Sequence, residues 1–185
     1  MEAIKTKSFE LDGYTARISI YHDPFMGAPW EEHDGHGIVT GWERRDKRAG
    51  ERVLTSDRSS SRFYDIPATI KKAKAEGWGL GEEAKAKLAA KLGRTPTVKE
   101  ITAEAVERDF EYCRGWCNND WHWLGYTTTI ETPDGGTIEG DSCWGFEGDD
   151  EGEKYMAGEA EDHARYSIEE HKKLVAETLI AAACP

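Results

Sequence analysis

The chain has 185 residues and a net charge of −12, and it is 38% hydrophobic with seven Trp, seven Tyr and five Phe. That length suggests one domain over residues 1–185, and that aromatic supply excludes a disordered chain. No run approaches the roughly 20 apolar residues of a membrane-spanning helix, and Met1 to Lys7 show no apolar signal core, so a cytoplasmic location away from membranes is expected.

The first segment reads as a hairpin. Ile4 to Leu11 and Tyr14 to Tyr21 are strand-like and flank Asp12-Gly13, a pair suited to the positive φ values of a type I′ turn. Tyr14, Ala16, Ile18 and Ile20 alternate with polar neighbours, so one face is expected to be buried. A proline- and glycine-bearing loop over 22–36 leads to a strand over Gly37 to Trp42. Residues 43–62 read as a basic, flexible loop, and Arg62 to Asp65 as a short strand.

A helical middle follows. Pro67 suits a first turn and Gly77 a helix end. Glu82 to Leu92 is Ala/Lys/Glu-rich and stops at Gly93. Thr97 with Glu100 forms a capping box. It opens a helix carrying Val98, Ile101, Ala105 and Tyr112, with Val106, Phe110 and Cys113 beside them, and expected to end near Arg114-Gly115. Trp121 to Ile130 and Thr137 to Phe146 read as two strands around the turn Pro133-Asp134-Gly135-Gly136. The acidic segment 147–163 reads as loop and then helix. A second capping box, Ser167 with Glu170, predicts a last helix with Ile168, Val175, Leu179 and Ala182 facing inward. Hairpins outnumber crossovers, so the expected fold class is α+β, a largely antiparallel sheet with several helices packed on it.

The charge is unevenly spread. Residues 1–130 carry 21 acidic and 20 basic side chains, whereas residues 131–185 carry 15 acidic and 4 basic. A dense carboxylate surface attracts basic proteins and repels nucleic acid, and it can occupy a nucleic-acid-binding groove as a decoy. Asp149, Asp150, Glu151, Glu153, Glu159, Glu161 and Asp162 are the candidate partner-binding residues. The expected partner is a basic, nucleic-acid-binding effector. The same charges also suit a solvated face.

Two weaker constellations have the right residue types for metal chemistry. Cys113, Cys117 and His122 supply three zinc-type ligands, with Cys143 on the strand expected to pair nearby. His33 and His36, with Asp34, His22, Glu31 and Glu32 around them, resemble a metal or acid–base loop. Neither has the spacing of a known motif, so no cofactor is expected and an enzyme is not favoured, and a small metal-dependent enzyme using the histidine loop or the cysteine cluster stands as an alternative. The four Cys, with Cys184 the last, read as free thiols. Gly77-Trp78-Gly79-Leu80-Gly81 reads as a linker between helices. Leu92 to Ile101 resembles the turn-and-helix segment of bacterial sigma-factor domains over about ten residues. With the net +5 of residues 71–99 and the basic stretch before them, it leaves a nucleic-acid-binding module as an alternative.

Four stretches carry a wider resemblance: Asp34-Gly35-His36-Gly37-Ile38-Val39-Thr40 with Trp42-Glu43-Arg44-Arg45; Arg62-Phe63-Tyr64-Asp65; Gly115 to Trp123; and Ser142-Cys143-Trp144-Gly145-Phe146-Glu147. In pattern and order they resemble small accessory proteins of tailed bacteriophages and prophages. The resemblance implies a viral accessory gene acting in a bacterial cytoplasm and carries over no catalytic residue. Inhibitors of restriction and of CRISPR effectors, some of them DNA mimics, are among small acidic phage proteins.

Overall fold

Asp12 and Gly13 both take positive φ, 52° and 84°, as the first hairpin requires. From there the chain runs β1 (Lys5–Leu11), β2 (Tyr14–His22), α1 (Pro29–Glu32), β3 (Ile38–Val39), β4 (Glu51–Asp57), β5 (Ser60–Asp65), α2 (Ile66–Glu76), α3 (Glu82–Leu92), α4 (Val98–Cys117), β6 (Trp123–Glu131), β7 (Thr137–Glu147) and α5 (Asp150–Ala183). This is a computed structural model, and it describes residues 1–183, so Cys184 lies outside the described residues. The fold is α+β with antiparallel pairing throughout, as expected. The chain divides into two compact units, residues 27–120 and the remainder on either side of them. No described helix is long and apolar enough to cross a membrane.

The unit built from the two ends of the chain is a four-stranded sheet, β1-β2-β6-β7, with α5 on one face. Tyr14, Ala16, Ile18 and Ile20 of β2 are buried in alternation, with Leu124, Tyr126 and Ile130 of β6 beside them. From the helix, Met156, Ala160, Ala164 and Ile168 meet that surface at four-residue spacing. The two alanines let the helix lie close to the strands. The larger Met and Ile each contribute about 1.5–3 kcal/mol by burial. Two tyrosines latch sheet to helix, Tyr14 to His171 Nδ1 at 3.0 Å and Tyr126 to His163 Nδ1.

Three expectations about this region are corrected. The acidic segment is helical from Asp150, with Asp149 capping it by accepting the Gly152 N–H at 2.7 Å. Ser167 and Glu170 start no helix, because the buried ladder runs unbroken from Met156 to Ile168 through that point. Val175 and Leu179 do not face inward, Leu179 being 65% exposed, and the side chain of Ala182 lies outside the described residues. A 34-residue helix is about 50 Å long, whereas the longest strand beneath it, 11 residues, spans about 36 Å. The last turns therefore have no sheet under them.

The second unit is a three-stranded sheet, β3-β5-β4, packed with α2 and α4. Its core joins Leu54 and Tyr64 to Ala73, Val106, Phe110 and Cys113. The flexible loop expected over 43–62 is corrected to the β4–β5 hairpin. Three of its arginines are spent inside the unit. Arg45 grips Glu51 with both terminal nitrogens at 2.6 and 2.8 Å, Arg62 reaches Glu31, and Arg52 binds Glu107 while lying 3.5 Å from the Phe110 ring centroid. The strand expected over Gly37 to Trp42 shortens to Ile38–Val39, with Thr40 N–H still bonded to Phe63.

The helix ends follow local chemistry. Asp65 caps α2, Gly77 and Gly93 end α2 and α3 in the left-handed region, and the Thr97–Glu100 capping box opens α4. That helix runs on to Cys117, two residues past its expected end, and Val98 is exposed rather than inward.

Candidate functional site

On α4, Ile101, Ala105, Asp109 and Cys113 lie one turn apart along the inward face. Asp109 is a carboxylate in an otherwise apolar ladder, and burial demands that it be paired. Its Oδ2 accepts from the Tyr64 hydroxyl at 2.6 Å and from the Gly37 N–H at 2.7 Å. Its Oδ1 lies 2.7 Å from His36 Nδ1 and 3.9 Å from Cys113 Sγ. The thiol is also 3.9 Å from that same ring nitrogen. Among the described residues, His36, Asp109 and Cys113 are the one group of three ligand-type side chains with converging donor atoms.

The loop that carries His36 is fixed at three successive residues. Lys72 Nζ donates to the His36 carbonyl at 2.8 Å, Gly37 N–H to Asp109, and Ile38 N–H to Thr69 Oγ1 at 2.9 Å. The His36 ring stacks on Tyr112, with centroids 5.3 Å apart and planes 9° apart. Burial, reinforced by the Asp109 charge, pushes the Cys113 thiol well above its ordinary range, and burial pushes Cys117 up to about 11.

This is not the layout of a cysteine nucleophile. A relay of thiol, imidazole and carboxylate uses both ring nitrogens, one toward each partner. Here Nδ1 alone faces both, and the thiol is held protonated. Aspartate, tyrosine and histidine form instead a buried polar clasp between α4, β5 and the loop before β3.

The other sequence candidates fall elsewhere. Cys117 lies a turn beyond Cys113, outside the converging group. His122 packs edge-on against His22 at 4.9 Å, and Cys143 of β7 lies opposite Tyr126 of β6. His33 is the C-cap residue of α1. Cys113 and Cys117 belong to the unit of residues 27–120, and His122 and Cys143 to the other unit. Asp109 was missed because it belongs to no motif; a lone acid in the 101-105-109-113 ladder was the available signal.

The acidic candidates share α5 but not one role. Asp149 is spent on the helix cap, and Glu153 pairs with Lys5 at 3.6 Å. Asp150, Glu151 and Glu153 also sit in the first turn, where the helix dipole favours acids. At 100° per residue, Asp162 and Tyr166 project opposite the buried ladder, Glu151 and Tyr155 are exposed beside it, and Glu159 and Glu161 are half-buried on its two flanks. Tyr155 and Tyr166 are each 63% exposed. Comparison with protein-family models, with curated proteins and with solved structures returns no match.

Proposed function

We propose that this chain is a binding protein of the phage accessory type, which docks on a basic surface of a nucleic-acid-handling bacterial protein and blocks it. The observation that carries this reading is the exposed side of α5, where the carboxylates of Glu151 and Asp162, with half-buried Glu159 at the edge, interleave with the exposed rings of Tyr155 and Tyr166. Acids steer a basic partner and repel nucleic acid, whereas tyrosines supply the contact area that dominates interface energy. A merely solubilising face has no use for two exposed aromatic rings, here about three turns apart on one helix. The charge pattern and the resemblance to tailed-phage proteins support a host nucleic-acid-binding effector as the target, in the bacterial cytoplasm. The internal pairing of Arg45, Arg52, Arg62 and Arg94 argues against direct nucleic-acid binding.

The test is affinity capture from bacterial lysate at low and high salt, comparing the wild type with a Glu151→Gln/Glu159→Gln/Asp162→Asn variant. The expected result is a nucleic-acid-binding protein held by the wild type, released by salt and lost with the variant. Equal capture by both proteins would sink the reading.

A further inference from the structure

The same clasp that fails as a nucleophilic site has the organisation of a metal centre. One carboxylate oxygen, Oδ2, is saturated by Tyr64 and Gly37. That fixes the carboxylate plane and aims Oδ1 at the two other donor atoms. His36 is fixed by the ring of Tyr112 and by the backbone bonds at its own carbonyl and at the Gly37 N–H. Such outer partners, which orient a ligand without touching the ion, are the usual support of a metal site. Separations of 2.7, 3.9 and 3.9 Å leave a point between Nδ1, Oδ1 and Sγ at about 2.0–2.3 Å from each, the ordinary zinc–ligand distances. His36 and Asp109 retain 16% and 10% side-chain exposure, so a fourth ligand could come from solvent.

We propose that His36 Nδ1, Asp109 Oδ1 and Cys113 Sγ bind one divalent transition-metal ion of the zinc type, with water as the fourth ligand. Thiolate and imidazole select against magnesium and calcium, which take oxygen ligands. On binding, Cys113 gives up its thiol proton and the Sγ lone pair bonds to the ion. With His36 neutral, its proton moves from Nδ1 to Nε2. One proton is thus released per ion, and no oxidation state changes. The ion ties α4 to the loop before β3 and keeps one position for a small anion or water.

Cobalt(II) is the probe, because a bound thiolate gives it a charge-transfer absorption. The wild type should take up one equivalent and show that band. So should a Cys117→Ser/Cys143→Ser/Cys184→Ser variant, in which Cys113 is the sole thiol. Cys113→Ser should abolish the band. Tyr64→Phe leaves all three donor atoms in place and should weaken affinity about 10–100-fold through loss of orientation. No thiolate band in the wild type, or a band that survives Cys113→Ser, would overturn the proposal. Should Cys113→Ser fail to fold, the variant with Cys113 as its sole thiol decides the matter: its band supports the proposal and the lack of one overturns it.

Discussion

The Tyr64 phenol donates a 2.6 Å hydrogen bond to Asp109 Oδ2, joining β5 to α4 through a fully buried ring. Hydrogen bonds to charged groups contribute about 1.5–3 kcal/mol, so Tyr64→Phe should lower unfolding stability by that amount in a urea titration near pH 7. A loss under about 0.5 kcal/mol, the scale of an ordinary surface change, would mean that water replaces the phenol.

That bond also has a pH signature. Burial, then the hydrogen bond and charge of Asp109, raise the Tyr64 phenol above its ordinary value. A raised folded value means that its contribution is complete below the unfolded pKa of about 10 and is lost as pH rises beyond it. The wild type should therefore lose stability relative to Tyr64→Phe above pH ~10. Parallel curves for the two proteins from neutral to alkaline pH would contradict this.

Gly37 is where the clasp admits no side chain. A Cβ there would stand 2.2 Å from the Tyr64 hydroxyl oxygen and 2.3 Å from the carbon that bears it. The Tyr64 ring is buried on all sides and cannot swing away. Gly37→Ala should cost about 1–3 kcal/mol as an overpacked site. Cobalt uptake at His36 should fall with it. A variant as stable as the wild type would show that the loop before β3 can shift.

Local signals made the fold legible where they decided the outcome. Asp12-Gly13 set a hairpin, Thr97 and Glu100 opened α4, and Gly77 and Gly93 closed helices, all within a few residues of chain. The β4–β5 hairpin was illegible because its arginines and serines do not alternate with apolar residues; Arg52 and Arg62 pair with carboxylates from distant segments, and Ser56 bonds Ser61 across the hairpin. Ser167 and Glu170 carry a correct capping pattern that tertiary packing overrides. The clasp joins His36 to Asp109 across 73 residues. Each half was visible as a residue type, but their meeting depends on how α4 packs against the sheet.

Glu51 holds the start of the β4–β5 hairpin and should mark its acid limit. The two-pronged hydrogen bond from Arg45, helped by the Arg48 N–H at 2.6 Å, pulls its carboxyl down to about 2 despite burial. A lowered folded value gives stability that is present above the unfolded pKa, about 4.3, and lost as pH falls toward 2. Glu51→Gln should be less stable than the wild type at neutral pH, and the gap should close over that acid window. A gap that stays constant down to pH 2 would mean the pair adds nothing.

The two halves of α5 should respond oppositely to the same truncation. Ile168 is fully buried against β2 and β6, so Ile168→Ala should cost about 2–5 kcal/mol, the range for an aliphatic core deletion. Leu179 continues the same helical stripe eleven residues on, yet it lies past the sheet and is 65% exposed. Leu179→Ala should therefore stay within about 0.5 kcal/mol, since no packing is lost and alanine is the better helix former. Urea titrations of both variants at one protein concentration make the comparison. Equal destabilisation would mean that the final turns of α5 are covered in solution, and the extent of the helix that stabilises the sheet would then have to be redrawn.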